Sequence, residues 1–211
     1  MPSGAAAADF AAAIPSADAR QVADWVIRSG DNEGMPFAIV DKTEATLFLF
    51  APDGVLRATT PVLLGLARGD DDAPGTGDRP LTSIAPARRI TPAGRFVAVL
   101  GVNLAGQDIL WVDYAAAISV HRATDVKAGL TANGRLARLA SATTRDNRIS
   151  HGCINVTSDF FDAIIRPTFS ARGGIVYVLP ETRSIRAEFQ IPPEPVPASA
   201  VAQAAGDSGR M

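Results

Sequence analysis

Thiols and imidazoles are scarce in this chain: 211 residues hold one cysteine and two histidines. A single thiol excludes an internal disulfide and a four-cysteine zinc centre. A zinc site of His121, His151 and Cys153 would consume the whole inventory and still lack a fourth protein ligand, so no metal is expected, and no cofactor. Surplus positive charge is missing too. The formal net charge is −2, which argues against a nucleic-acid footprint. No run of eighteen apolar residues occurs, so no membrane-spanning helix is expected. The N-terminal stretch also lacks the basic region and leucine-rich segment of a secretory signal. What remains is ordinary globular material, 47% hydrophobic and 20% charged, enough for one domain with tails.

Against that background Ser150-His151-Gly152-Cys153-Ile154-Asn155-Val156 stands out. A thiol is a nucleophile as its thiolate, and a nearby imidazole or cluster of amides lowers its pKa. Gly152 removes a Cβ where backbone N–H groups would face a reacting carbonyl oxygen. A lone cysteine is usually a small buried hydrophobe. A packed core, however, needs no serine, histidine, glycine and asparagine around its thiol. The second histidine, His121, ends the apolar run Ala117–Val120, which reads as a buried strand. Nucleophile, base and oxyanion hole for cysteine acyl transfer are thus all available.

Ser150-His151-Gly152-Cys153 with an upstream strand-borne histidine resembles the signature of the L,D-transpeptidases, the YkuD-type domain of bacterial cell-wall enzymes. The likeness extends to Phe37–Lys42, Thr46–Phe50 and Pro52-Asp53-Gly54, which resemble that domain's opening hairpin. Thr91-Pro92-Ala93-Gly94-Arg95-Phe96 resembles its Thr-Pro-x-Gly-x-Phe segment, and Gly174–Leu179 its closing strand. The resemblance implies that Cys153 is the nucleophile and His121 the base. It places the amides of Gly152 and Cys153, with the His151 side chain, in the oxyanion hole, and makes Ser150 and Asn155 loop braces at the substrate. It further implies peptidoglycan stem peptides as partner, a periplasmic or envelope location with the signal removed, and thioester chemistry that releases D-alanine and forms a cross-link. An L,D-carboxypeptidase or amidase, or a non-catalytic peptidoglycan-binding module, is the alternative. The stretch from His121 to Cys153 is longer than in most members, and Arg122 stands where many have a small residue.

Short strands bounded by turn residues dominate: 37–40, 46–50, 55–62, 95–102, 109–114, 117–120 and 175–179. They predict a mainly β fold, an L,D-transpeptidase-like sandwich or partly closed barrel with a few short helices. The expected organisation is an N-terminal extension with a short helix (1–35), the catalytic domain (36–190) and a Pro/Ala-rich disordered tail (191–211). Residues 1–16 are expected to be poorly ordered. Helices are expected at 17–29 and from Ser158 to about Ile165, with Pro167 as terminator. The acidic loop 69–80 reads as solvated surface.

Arg122, Lys127, Arg135, Arg138, Arg145 and Arg148 face only Asp125 and Asp146 over the same stretch, giving the cleft a basic rim. Arg135 and Arg138 read as the solvated side of a short helix whose Leu136 and Leu139 pack inward. Arg148 and Arg122 are the guanidiniums expected to bind a substrate carboxylate.

Overall fold

The computed structural model describes residues 7–72, 75, 79–125 and 134–193. Ten strands are present among the described residues: β1 (Phe37–Asp41), β2 (Thr46–Phe50), β3 (Leu56–Pro61), β4 (Leu64–Gly65), β5 (Gly94–Val102), β6 (Asp108–Asp113), β7 (Ile118–Arg122), β8 (Arg148–Ser150), β9 (Ile154–Val156) and β10 (Gly174–Val178). Eight form one sheet in the order β3-β2-β1-β10-β5-β6-β7-β9, and β4 pairs with β8. The first three strands run as an antiparallel meander, while β1–β10 and β7–β9 are parallel. The sheet curls until its ends nearly meet. Just past β3, Leu63 exchanges both backbone hydrogen bonds with Asn155 of β9, each 2.9 Å. This is the mainly β, partly closed architecture expected from the spacing of strand signals.

Strand alternation divides the apolar residues into two cores. Ala38 and Val40, Leu47 and Leu49, Leu110, Val120, Ile154, Val156, Val176 and Val178 face the inside of the curl. A helical segment plugs that interior with Phe161, Ile165 and Phe169. The opposite faces of β1, β2 and β10 carry Phe37, Ile39, Phe48, Phe50, Ile175 and Tyr177 into a second core. The three strands are therefore buried on both sides, which is why they read as unbroken apolar runs.

The lid of the second core is the N-terminal segment. Helix α1 (Ala17–Ser29) buries Ala19, Val22, Ala23 and Val26, spaced to form one stripe. Ser16 caps its start by accepting from the Ala19 N–H, and Gly30 ends it in the left-handed conformation. Of the residues ahead of the helix, 1–6 lie outside the described residues, and those around Phe10 are held in place, contrary to expectation. Phe10 is 3% exposed and meets Phe48 and Phe50 edge-on, while Asp9 pairs with Val55. An alanine-rich stretch hides the weight of its single aromatic: one phenylalanine buries enough area to fix it. At the other end, Ile191 joins the same core, and 194–211 lies outside the described residues.

Short helices supply the rest: α2 (Arg135–Leu139), α3 (Ser158–Phe160), α4 (Arg166–Phe169) and α5 (Ile185–Phe189). Thr157 caps α3, as its position before Ser158 and Asp159 suggests. Pro167 does not end this helix. A π turn over Phe161–Ile165 widens the backbone just before it, and the helix continues to Phe169. A wider turn relieves the clash between a proline ring and the preceding carbonyls. No helix among the described residues is long and apolar enough to cross a membrane.

Candidate active site

The loop that carries Cys153 sits at the seam of the curled sheet. Strand β8 leads into it and β9 leads out, and β9 lies parallel to β7 with Asn155 opposite His121. Val120, Ile154 and Val156 face the inner core, so the alternate residues Ser119, His121 and Asn155 point to the other side, toward Cys153. Sequence reasoning found His121 but missed Ser119. The period of two along a strand was the signal, because the residue two before His121 must share its face.

Cys153 is half-buried and has a ring of partners. Its Sγ lies 3.5 Å from the Ala117 carbonyl and 3.7 Å from the Ser119 hydroxyl, which donates to it. Burial pushes the thiol up, but the hydrogen bond from His121, the imidazolium charge and the Ser119 donors together leave it below the ordinary value. His121 moves the opposite way. Burial lowers it, yet the bond to Cys153 and its negative charge raise it above the usual histidine range. Opposite shifts in two groups that act on one another favour thiolate and imidazolium over two neutral groups.

The tautomer follows from geometry. His121 Nδ1 is 3.0 Å from the Arg122 carbonyl, which can only accept, so Nδ1 carries a proton. Nε2 is then the nitrogen that exchanges a proton with sulfur. The Asn155 side-chain nitrogen lies 3.0 Å from Nε2, while its Oδ1 is buried without a partner among the described residues. A protonated Nε2 calls for an acceptor, so the charged pair is best served with the amide turned to present Oδ1.

Ser150 and Thr91 hold the loop itself. The Ser150 hydroxyl accepts from the Gly152 N–H at 3.0 Å and donates to the Cys153 carbonyl at 2.6 Å. The Gly152 amide is therefore engaged, leaving the Cys153 amide and the His151 ring as the loop's donors toward a substrate. Gly152 adopts φ +137°, and a Cβ there would meet the Ile90 carbonyl at 2.7 Å, so only glycine fits. Thr91, fully buried, donates to the Gly152 carbonyl and accepts from the Gly65 N–H, both at 2.8 Å. It was visible in the sequence as part of a motif, but without a role.

Beneath the loop lies a buried ionic cluster that the sequence did not reveal. Lys42 Nζ reaches Asp70 (2.8 Å) and the carbonyls of Gly69 and Thr91. Asp70 also accepts from the backbone N–H groups of Glu181, Thr182 and Arg183. Burial opposes the Asp70 charge, but the Lys42 bond and the Thr182 donors hold its carboxyl far below the usual range. The acidic loop is thus solvated only in part, since Asp70 is 3% exposed. Asp78 of the same loop lies outside the described residues.

The two arginines expected at the substrate are both occupied. Arg148 forks onto Glu181 at 3.0 and 2.7 Å and bonds the Lys42 carbonyl, so it anchors β8 to the ionic cluster. Arg122 grips Asp162 with two nitrogens and stacks 4.3 Å over the Phe161 ring. Proximity in sequence to the histidines was a poor guide, because carboxylates of the chain take both guanidiniums, Glu181 that of Arg148 and Asp162 that of Arg122.

The chain is similar to several solved structures at low identity. The chain is similar to the helical cell shape determining protein Pgp2 from Campylobacter jejuni, with 13% identity, 71% of this chain and 49% of that one covered, and a TM-score of 0.44. It is similar to an L,D-transpeptidase from Mycobacterium smegmatis (18% identity, 68% and 58% covered, TM-score 0.38). A third, an L,D-transpeptidase from Mycobacterium tuberculosis H37Rv, gives 15%, 68%, 57% and 0.40. The chain spans roughly half to three fifths of the length of these structures. No family model and no curated protein matches it.

Proposed function

We propose that this protein is a cysteine-dependent acyltransferase of the L,D-transpeptidase kind, acting on peptidoglycan stem peptides outside the cytoplasmic membrane. The observation that supports the reading is the Ser119 hydroxyl on the Cys153 sulfur, with His121 on the same face of β7 and Asn155 of the outgoing strand bonded to its ring, an arrangement in which the thiol is lowered and the imidazole raised. The Ser-His-Gly-Cys resemblance supplies the substrate class.

In the first half-reaction the Cys153 thiolate attacks the carbonyl carbon of an amide that precedes a terminal D-alanine. The carbonyl π electrons move to oxygen, which takes hydrogen bonds from the Cys153 amide and the His151 ring. Each such donor contributes about 3 kcal/mol to the transition state. His151 suits a neutral donor, because burial and then the charges of Arg89 and Arg135 push it below the ordinary histidine range. Collapse expels the D-alanine nitrogen, which takes the proton from His121 Nε2, and a thioester remains on sulfur. In the second half-reaction a side-chain amine of another stem peptide loses its proton to His121, attacks the thioester and regenerates the thiolate. Water in place of the amine gives the carboxypeptidase outcome at the same atoms.

Incubation with a carbapenem, followed by mass spectrometry of the intact chain, tests the nucleophile directly. One drug mass added to the wild type and none to Cys153→Ala is expected. An unmodified wild type whose thiol is free would overturn the assignment. Digestion of muropeptides then separates cross-linked dimers from trimmed monomers.

A further inference from the structure

With Arg148 and Arg122 committed to carboxylates of the chain, two other guanidiniums border the nucleophile loop. Arg135 opens α2, and Leu139 on the same helical face is buried with Leu63, Ala123 and Ile149. Ala123 lies just past His121 and Ile149 just before Ser150, so this packing sets the Arg135 face of α2 over the cleft between them. Leu136, expected to pack inward, is instead 45% exposed. Arg135 Nε is buried and has no hydrogen-bond partner, and no ion pair involves Arg135 among the described residues. Its charge acts on both imidazoles, that of His121 and that of His151. The Ile90 carbonyl packs against Gly152, which brings the neighbouring Arg89 close to the loop, and its charge acts on His151. Among the described residues its side chain bonds only through Nε, to the Ile84 carbonyl at 3.0 Å.

A buried guanidinium nitrogen without an acceptor is costly, and the surroundings offer it none. The two terminal nitrogens of Arg135 are not buried and carry no hydrogen bond among the described residues, so they are the atoms open to an acceptor that a substrate brings. We infer that Arg135, together with Arg89, forms a carboxylate-binding subsite that holds an acidic group of the acyl donor next to Cys153. A planar guanidinium matches a carboxylate in bidentate fashion, and a carboxylate between two such groups is held in both position and register. This deepens the proposed function and rests on it. The terminal carboxylate of the departing D-alanine is the group of the right chemistry one residue from the scissile amide. The site would accordingly prefer free C-terminal carboxylates over amidated or extended ones.

Two alkylating reagents test the subsite without any cell-wall substrate. Iodoacetate and iodoacetamide form the same kind of S–C bond and release iodide, but only the first carries a carboxylate. The single cysteine makes the readout unambiguous. The ratio of their rate constants at Cys153 is measured for wild type, Arg135→Gln, Arg135→Lys and Arg89→Gln. A change in thiolate fraction or in folding alters both rates and cancels in the ratio. The expected result is an iodoacetate preference about tenfold lower in R135Q, the weight of one charge-assisted hydrogen bond. R135K, which keeps charge but loses the fork, should fall in between, and R89Q should lose less than R135Q. An unchanged ratio in R135Q, with Cys153 still alkylated by both reagents, overturns the carboxylate subsite and leaves the nucleophile assignment standing. Failure of both reagents to modify the folded wild type removes the nucleophile assignment and the subsite with it.

Discussion

Thr91→Val is the sharpest available test of how the nucleophile loop is held. The substitution keeps the shape of the side chain and deletes one hydroxyl, which serves two backbone groups at once. Gly152 C=O and Gly65 N–H, both on buried residues, would lose their partner with no water to replace it. An orphaned buried group costs about 1–3 kcal/mol, so the pair costs about 2–6 kcal/mol. For a domain of this size that lowers Tm by about 4–24 °C. Thr91→Ser keeps the hydroxyl and loses only a methyl, so about 1 kcal/mol is expected there. Thermal unfolding followed by circular dichroism gives the stability. Iodoacetamide labelling of Cys153 well below the transition should also slow in T91V, because Gly152 sits in a conformation that needs an external anchor. T91V melting within about a degree of wild type, or T91S proving as damaging as T91V, would refute the reasoning.

Three further outcomes follow from the ionic and catalytic pairs. His121→Ala should move the pH profile of Cys153 alkylation upward, since burial alone raises the thiol once its hydrogen-bonded imidazole is gone; an unmoved profile would make the imidazole irrelevant to the sulfur. Asp70 has a folded pKa far below its unfolded value, so its contribution is complete above the ordinary carboxylate range and is lost as pH falls toward the folded value. Urea unfolding of Asp70→Asn should therefore depend less on pH than wild type from about pH 4 downward, and equal slopes would refute this. Glu181→Gln, at a side chain 1% exposed, leaves Arg148 without its counter-charge and should cost about 3 kcal/mol in urea unfolding; a loss under about 1 kcal/mol would show that the pair is not a brace.

What the sequence disclosed and what it hid divide along a physical line. Strands such as Phe37–Asp41 and Gly174–Val178 were legible because burial on both faces leaves an unbroken apolar run. Cys153 and His121 were legible because few other residues can do their chemistry. Arginines were not, since a guanidinium on a long flexible stem takes its meaning from where it points. Arg148, near the motif, ends on Glu181, and Arg135, read as solvated helix surface, keeps a buried nitrogen over the cleft. Ionic partners far apart in sequence, such as Lys42, Asp70 and Glu181, leave no local pattern at all. Phe10 shows the same limit for packing, because one aromatic in an alanine-rich stretch carries no periodicity.

The backbone exchange between Leu63 and Asn155 brings an early part of the chain against a late one, beside the sulfur itself. Such distant pairings close slowly, after local hairpins have formed. Sulfur and imidazole therefore meet only when the molecule is otherwise assembled, and partially folded chains carry an unactivated thiol. Reactivity at that one atom would then serve as a clock for the last step of maturation.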